Sequence, residues 1–412
     1  MGNLLELFLG ILTALGGSVE VGQLTFSLNG GAKFGYSLLW VVALGTVGII
    51  VYGEMSGRIA AVAKKPVFGL MRERHGLAVG MLALASATVV NVMTCSAEIG
   101  AIAMLLKLAT STPYRLAIIA AIILIAASMW FLSFKAIERV FGLMGLFMLV
   151  FIYAAVALKP DWHQVAAGFA PNVPTAASHS DQMLYAYYVV AMLSAILLPY
   201  EVYFYSSGGI EDKWKPSDLG INRVVSISGF TLGSVLGAAL IITGVEVFGP
   251  RQMEVDLTGT AALPAVLALG KWGLVLAMLG MFAAYAGAAI ETAFSSAYNI
   301  AQFFGWPWGK FERPRKAALF TASWLVTLIA AGAIVESGID PISIVQYSII
   351  FSVVILPLTY LPTLLAARDR EIMGRYTNGV VADVLGAVFL ILISVAAIAA
   401  IPLLILTHGG QA

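Results

Sequence analysis

Eleven stretches of this chain come close to or exceed the roughly 20 consecutive apolar residues that a helix needs to cross a bilayer. They run over about 4–28, 34–57, 77–106, 114–134, 137–158, 183–208, 222–247, 262–300, 317–335, 342–366 and 380–406. The stretch 262–300 is long enough for one tilted helix plus a tail. Only 11% of the 412 residues are charged and 60% are hydrophobic, whereas a soluble domain carries about 25% charged residues. That leaves too little polar surface for a water-soluble particle. Soluble enzymes, nucleic-acid binders and disordered chains are therefore excluded. The single cysteine, Cys95, rules out an internal disulfide framework and a multi-cysteine metal cluster. The first stretch lacks a basic lead and is expected to be a working segment rather than a cleaved signal.

Basic residues set the orientation, because cytoplasmic loops are enriched in them. With the N-terminus inside, only Lys33, Lys107, Arg115, Lys159, Arg251 and Lys271 fall outside, leaving 17 of the 23 Lys and Arg on the cytoplasmic side. Eleven spans then put the C-terminus outside, in what is expected to be a prokaryotic inner (plasma) membrane.

Two spans carry features that oppose a continuous helix. Span 1 reads Leu15-Gly16-Gly17-Ser18-Val19-Glu20-Val21-Gly22-Gln23, with an ionisable residue among three glycines. Span 6 reads Ala195-Ile196-Leu197-Leu198-Pro199-Tyr200-Glu201. Proline removes a backbone donor and clashes with the preceding turn, and an acid again lies beside the break. Breaks are expected at Gly16, Gly17, Gly22 and Pro199. Spans 1 and 6 are five apart, so in two five-span repeats of opposite topology they occupy corresponding places. Interrupted segments at such places point to a transporter's substrate site.

At these residues the chain resembles the NRAMP family of divalent-metal transporters over nearly its whole length. Phe34-Gly35-Tyr36-Ser37-Leu38-Leu39-Trp40 looks like that family's opening of span 2, and Ala97-Glu98 is similar to its span 3 motif. Lys159-Pro160-Asp161-Trp162, with Gly168 and Pro171, resembles the loop after span 5; Asp369-Arg370 with Met373-Gly374 resembles the loop after span 10. The resemblance implies an all-α, LeuT-like fold of two inverted five-helix repeats plus an eleventh helix. One transport domain would hold repeat one over about 4–158, repeat two over about 183–366 and the extra helix over about 380–406.

The departures bear on cargo. Where the family has Asp-Pro-Gly-Asn in span 1, this chain has Glu20, Val21, Gly22 and Gln23. Where it has Met-Pro-His in span 6, this chain has Leu198, Pro199 and Tyr200, followed by an added acid, Glu201. Cys95 stands where the family has an acid linked to proton transfer, and Gln346 lies about one turn before the place of a family glutamine in span 10. In character the sequence is closest to the NRAMP-related magnesium transporters.

The expected metal ligands are Glu20, Gln23, Tyr200 and Glu201, with freed backbone carbonyls near Gly17 and Ala195. All are oxygen donors, which suit Mg²⁺, Ca²⁺ and Mn²⁺, whereas a thioether at Leu198 would have favoured softer ions. Mg²⁺ usually keeps several waters, and the longer side chains here leave room for them. Two carboxylates at a low-dielectric break repel one another, and a divalent cation neutralises both. A secondary polar or proton path is drawn through Glu98, Glu54, Glu291 and Ser295. Within it, Glu54 is expected to pair with Arg58, and Glu98 is either a functional acid or a protonated helix contact. Glu291, with Ser295 and Ser296 one turn along, is a secondary cation contact or a packing group. Asp383 is expected to be interfacial. His75, His163, His179 and His408 fall in loops or the tail. No zinc-protease motif, phosphate-cradling loop or Ser/His/Asp arrangement can be read in the spans.

The sequence thus reads as a monomeric transporter of Mg²⁺ or Mn²⁺ working by alternating access, not an enzyme, with weak or no proton coupling. It needs no cofactor, and its partners are the metal ion and the lipid bilayer, not nucleic acid. The alternatives are a proton-coupled NRAMP-type Mn²⁺/Fe²⁺ transporter and an amino-acid or organic-cation carrier on the same fold. A non-transporting membrane sensor is a further class, expected to carry an output domain.

Overall fold

A computed structural model describes residues 19–172, 178–251, 253–255, 260–312, 314–339 and 341–410. The expected breaks at Gly16 and Gly17, and the first part of span 1, lie outside the described residues. Regular structure among the described residues is helical throughout. In chain order the helices are α1 (Val21–Phe34), α2 (Leu39–Ala63), α3 (Val67–Thr110), α4 (Tyr114–Phe131), α5 (Phe134–Gly145), α6 (Leu149–Ala157), α7 (Trp162–Ala167) and α8 (His179–Ile196). They continue as α9 (Pro199–Glu211), α10 (Leu219–Thr243), α11 (Leu263–Leu269), α12 (Lys271–Phe304), α13 (Ala318–Glu336), α14 (Pro341–Arg368), α15 (Arg370–Met373) and α16 (Val380–Leu406). Ten helical segments among the described residues are long and apolar enough to span a membrane, the first being Val21–Ala63, which joins the end of span 1 to span 2.

Span boundaries differ from the sequence reading where a glycine or proline acts. The helix of span 1 continues to Phe34 and turns at Gly35, whose φ is 63°. Span 3 gains a lead-in helix from Val67, set off from the membrane segment by Gly76 at φ 79°. The stretch 262–300 is not one helix with a tail but a short helix and a long one, divided at Gly270.

Span 6 lies at the centre and span 11 at the edge: 83% of the most apolar window of Ser180–Glu211 is buried, against 22% for Val380–Leu406. Helix α12 packs along α3, which also meets α14 and α13, while α9 and α10 pack on α2. Close approach is possible only because small residues line the contacts. A Cβ on Gly31 would overlap the Ile241 carbonyl, and one on Gly244 would overlap the Leu28 carbonyl. The end of α1 and the end of span 7 are thus pressed backbone to backbone. There span 7 widens into a π-turn, Gly244–Phe248, whose Glu246 accepts a hydrogen bond from the Tyr36 hydroxyl.

A candidate metal centre at two helix breaks

The first break is held by a residue from another span. Val19 and Glu20 are not helical, Glu20 is extended (φ −89°, ψ 170°), and α1 starts at Val21. The first four N–H groups of any helix lack an intrahelical acceptor. Here the Val21 N–H donates to Oε1 of Glu98 at 3.0 Å, a buried bond reaching across from span 3. Glu98 is fully buried, and its Oε2 has no partner. Glu20 is also buried, with Oε1 unpartnered, as is Oε1 of Gln23 one turn on.

Gly22 is not a break, contrary to expectation. It sits in the first turn of α1. Its role is clearance: a Cβ there would lie 2.8 Å from Ile349 Cγ1 and 2.9 Å from Glu20 Oε1.

The second break is local. Helix α8 ends at Ile196 and α9 begins at Pro199. Pro199 has no N–H to return to the Ala195 carbonyl four residues earlier, so that carbonyl loses its helical donor. Span 10 braces the gap: the Tyr360 hydroxyl donates to the Leu197 carbonyl at 3.2 Å, and the Ser194 hydroxyl donates to the Ile349 carbonyl at 2.6 Å. Proline at the first helical position is pre-organised for a start, and Glu201 sits in the first turn, where an acid favours the helix dipole. Glu201 is buried, and its Oε2 is unpartnered.

The span 6 break and the first turn of α1 border a cavity of about 10 Å³, lined by Gln23, Leu198, Glu201 and Ser234 between walls that include Ile49 and Phe230; Glu20 and Tyr200 do not line it. That is room for about one water, not for the several expected around Mg²⁺. Tyr200, buried, is in electrostatic range of Glu20, Glu98, Glu201 and Glu291. Glu20 and Glu98 interact with each other, as do Glu201 and Glu291. Among the described residues no three His, Cys, Asp or Glu side chains converge as a ready-made metal cluster. An ion here would need amide, carbonyl or water oxygens besides carboxylates.

Comparison with known proteins fits this arrangement. The sequence signature of the family described as natural resistance-associated macrophage protein-like, Nramp, matches residues 10–402. The chain belongs to the Nramp family. A "Divalent metal cation transporter MntH" of Deinococcus radiodurans is 23% identical, over 91% of this chain and 84% of that one. One of Levilactobacillus brevis is 25% identical, over 94% and 87%. A crystal structure of a mutant of the Eremococcus coleocola manganese transporter superposes with a TM-score of 0.76 at 18% identity, covering 96% of this chain and 85% of that one. MhsT in complex with L-phenylalanine does so at 0.60 and 14%, covering 96% and 98%. The fold is the LeuT-like one.

In this Nramp protein the secondary polar residues divide. Glu54 does not face the breaks. Its carboxylate is engaged by Arg58 at 3.0 Å, and Arg58 also donates to the Tyr376 carbonyl and to Asn378, each at 2.6 Å. Asp383 pairs with Arg368 at 2.8 Å. Gln346 lies near Gly409 of the C-terminal segment rather than at a break. Cys95 is buried, with Sγ 3.8 Å from the Ala289 carbonyl. His75 and His163 lie in short helices rather than loops, both exposed. Ser295 reaches the site, its hydroxyl donating to the Tyr200 carbonyl at 3.4 Å, and Glu291 interacts electrostatically with Glu201.

Two residues on α12 escaped the sequence reading. Asn299 is fully buried with neither side-chain atom partnered, and Gln302 donates to Ser207 at 2.8 Å while its Oε1 is unpartnered. The signal was available: Glu291, Ser295, Asn299 and Gln302 recur at helical spacing.

Proposed function

We propose that this Nramp protein carries divalent metal cations across the membrane by alternating access, with Mn²⁺ and Mg²⁺ as cargo. The observation that supports this most is the set of buried carboxylate oxygens at the two breaks, on Glu20, Glu98 and Glu201. None is paired with Lys or Arg among the described residues. Ionisable groups inside a membrane protein mark ion pathways. The ligands in this reading are Glu20, Gln23, Tyr200, Glu201 and the Ala195 carbonyl, with the Gly17 carbonyl expected from sequence. A cavity of about 10 Å³ suits an ion better than an amino acid.

The all-oxygen donor set and Leu198 at the family's thioether position favour hard ions, as in the magnesium-transporting branch. The chain is read as one transport domain, with inverted repeats over about 4–158 and 183–366, acting as a monomer with its N-terminus cytoplasmic. Proton coupling is weak in this reading, because Tyr200 and Cys95 replace the family's imidazole and carboxylate.

A second reading is a proton-coupled Mn²⁺/Fe²⁺ transporter. The relatives' names favour the transition metal, and the unpartnered Glu98 oxygen beside Glu20 offers a proton acceptor. Proteoliposomes loaded with metal- and pH-sensitive dyes, challenged with Mg²⁺, Mn²⁺, Ca²⁺, cadmium and amino acids, separate the readings. Entry of Mg²⁺ and Mn²⁺ without acidification is expected, and Leu198→Met should improve cadmium entry more than Mg²⁺ entry. Exclusion of Mg²⁺ together with metal-driven acidification would establish the second reading instead.

A further inference from the structure

A larger cavity, of about 240 Å³, lies away from the helix breaks, where the lead-in of α3 meets the end of α14 and the short α15. Its walls are apolar, with Leu70 and Met71 on one side and Pro362, Leu365 and Ile372 on the other. Gly76, at φ 79°, lets the lead-in depart from the axis of the membrane part of α3, which opens the space between them. Leu365 is 40% exposed, and Leu361, one turn earlier on α14, is 44% exposed. Both belong to a helix long and apolar enough to span the membrane, so the mouth faces lipid.

The rim carries charges of both signs. Arg74, His75 and Asp369 line the cavity, and Arg74 pairs with Asp369 at 3.2 Å and with Glu371 at 3.1 Å. Arg74, His75 and Glu371 are exposed and Asp369 is half-buried, so a ligand can reach all four. An apolar cavity with a few polar groups at one end is the usual form of a site for an amphiphile.

We propose that this cavity binds a zwitterionic phospholipid with a primary ammonium, of the phosphatidylethanolamine class. The apolar walls take part of one acyl chain. Arg74 and His75 donate to the phosphate, for which a guanidinium fork is well matched. The ammonium donates to Asp369 and Glu371, since a carboxylate paired with one arginine keeps acceptor positions. Charge decides between lipids. A polybasic patch would select an anionic head group, but here two carboxylates stand beside one guanidinium, and a net negative lipid is disfavoured. A choline head group has no N–H to donate. The proposal does not depend on which ion is the cargo.

The test supplies the full-length protein, in detergent, with equal amounts of phosphatidylethanolamine, phosphatidylcholine and phosphatidylglycerol carrying identical acyl chains. Native mass spectrometry then counts the lipids that stay bound. Wild type should retain one phosphatidylethanolamine in preference to the other two. Glu371→Gln, at an exposed side chain, should lower the ratio of ethanolamine to glycerol lipid about threefold, the size of an exposed charge contact. Ala366, also in the cavity wall, offers the second variant: Ala366→Leu fills the space and should lose the bound lipid while melting near wild type. If that variant does not fold, Leu365→Trp blocks the mouth from the exposed side and should lose the lipid in the same way. Retention of no lipid, equal retention of all three, or preference for phosphatidylglycerol would overturn the proposal. So would wild-type retention in a folded cavity-filling variant, or an unchanged lipid ratio in Glu371→Gln.

Discussion

The helix starts at Val21 in span 1 and at Pro199 in span 6 are made in opposite ways. In span 6 the break is written into the chain: Pro199 withholds a donor from Ala195 and starts the next helix at its own position. In span 1 no residue between Val19 and Gly22 forbids a helix. Its feature among the described residues is that Glu98 of span 3 takes the Val21 N–H at the start of α1. One break is covalent in origin, and its neighbours in span 10 only brace it. The other depends on a contact 77 positions away. A carrier that must change shape around its cargo gains from that asymmetry, because only the second can be altered by events at the site.

The largest effect is expected from the residue that both breaks share as a neighbour. Glu20→Gln should lower Mn²⁺ or Mg²⁺ flux in proteoliposomes by at least about a hundredfold, the upper end of what an outer-shell change alone costs in metal sites. Wild-type flux in that variant would remove Glu20 from the ligand set.

Glu98 tests the comparison itself. Glu98→Leu leaves the Val21 N–H buried without an acceptor, a loss of about 1–3 kcal/mol in stability, read as a lower melting temperature. Glu98→Gln keeps a carbonyl oxygen there and should melt near wild type. Equal melting of the two variants would show that the contact does not hold the break.

Pro199→Ala should do the reverse. It returns a donor to Ala195, worth about 1 kcal/mol net, so the protein should melt slightly higher while transport falls. Unchanged transport with raised stability would mean that the span 6 gap is dispensable.

The smallest effect is expected at a helix start outside the membrane, which serves as a reference for the other two. Asp161 caps α7, and the Gln164 backbone and side-chain N–H groups hold its carboxyl below the ordinary carboxylate value of 3.8. The ionised cap is therefore fully present above that value and lost only as pH falls through the lowered one. Asn caps as well as Asp, so Asp161→Asn should melt like wild type at pH 7 and differ only under strong acid.

How far the sequence could be read follows from the same contrast. Pro199 and Glu201 were legible because their consequences are local. Glu20 was legible because an acid among glycines in hydrocarbon is costly wherever it lies. Gly22 was misread as a break because a glycine's use as clearance, here against Ile349, depends on a helix far away in the chain. Glu54 could be paired with Arg58 from the spacing of four alone. Glu98 could be noticed but not placed, since nothing in its own span says which N–H it meets. Asn299 and Gln302 carried a visible period, yet a polar stripe on a membrane helix gains meaning only when its partner helix is known.

Gly31 and Gly244, where two backbones touch, bear on how such a machine could turn. Helices packed that closely cannot slide past one another without collision, so the far end of α1 and the end of span 7 behave as one solid piece. The cation would then sit at the start of a helix whose far end is bolted to the frame.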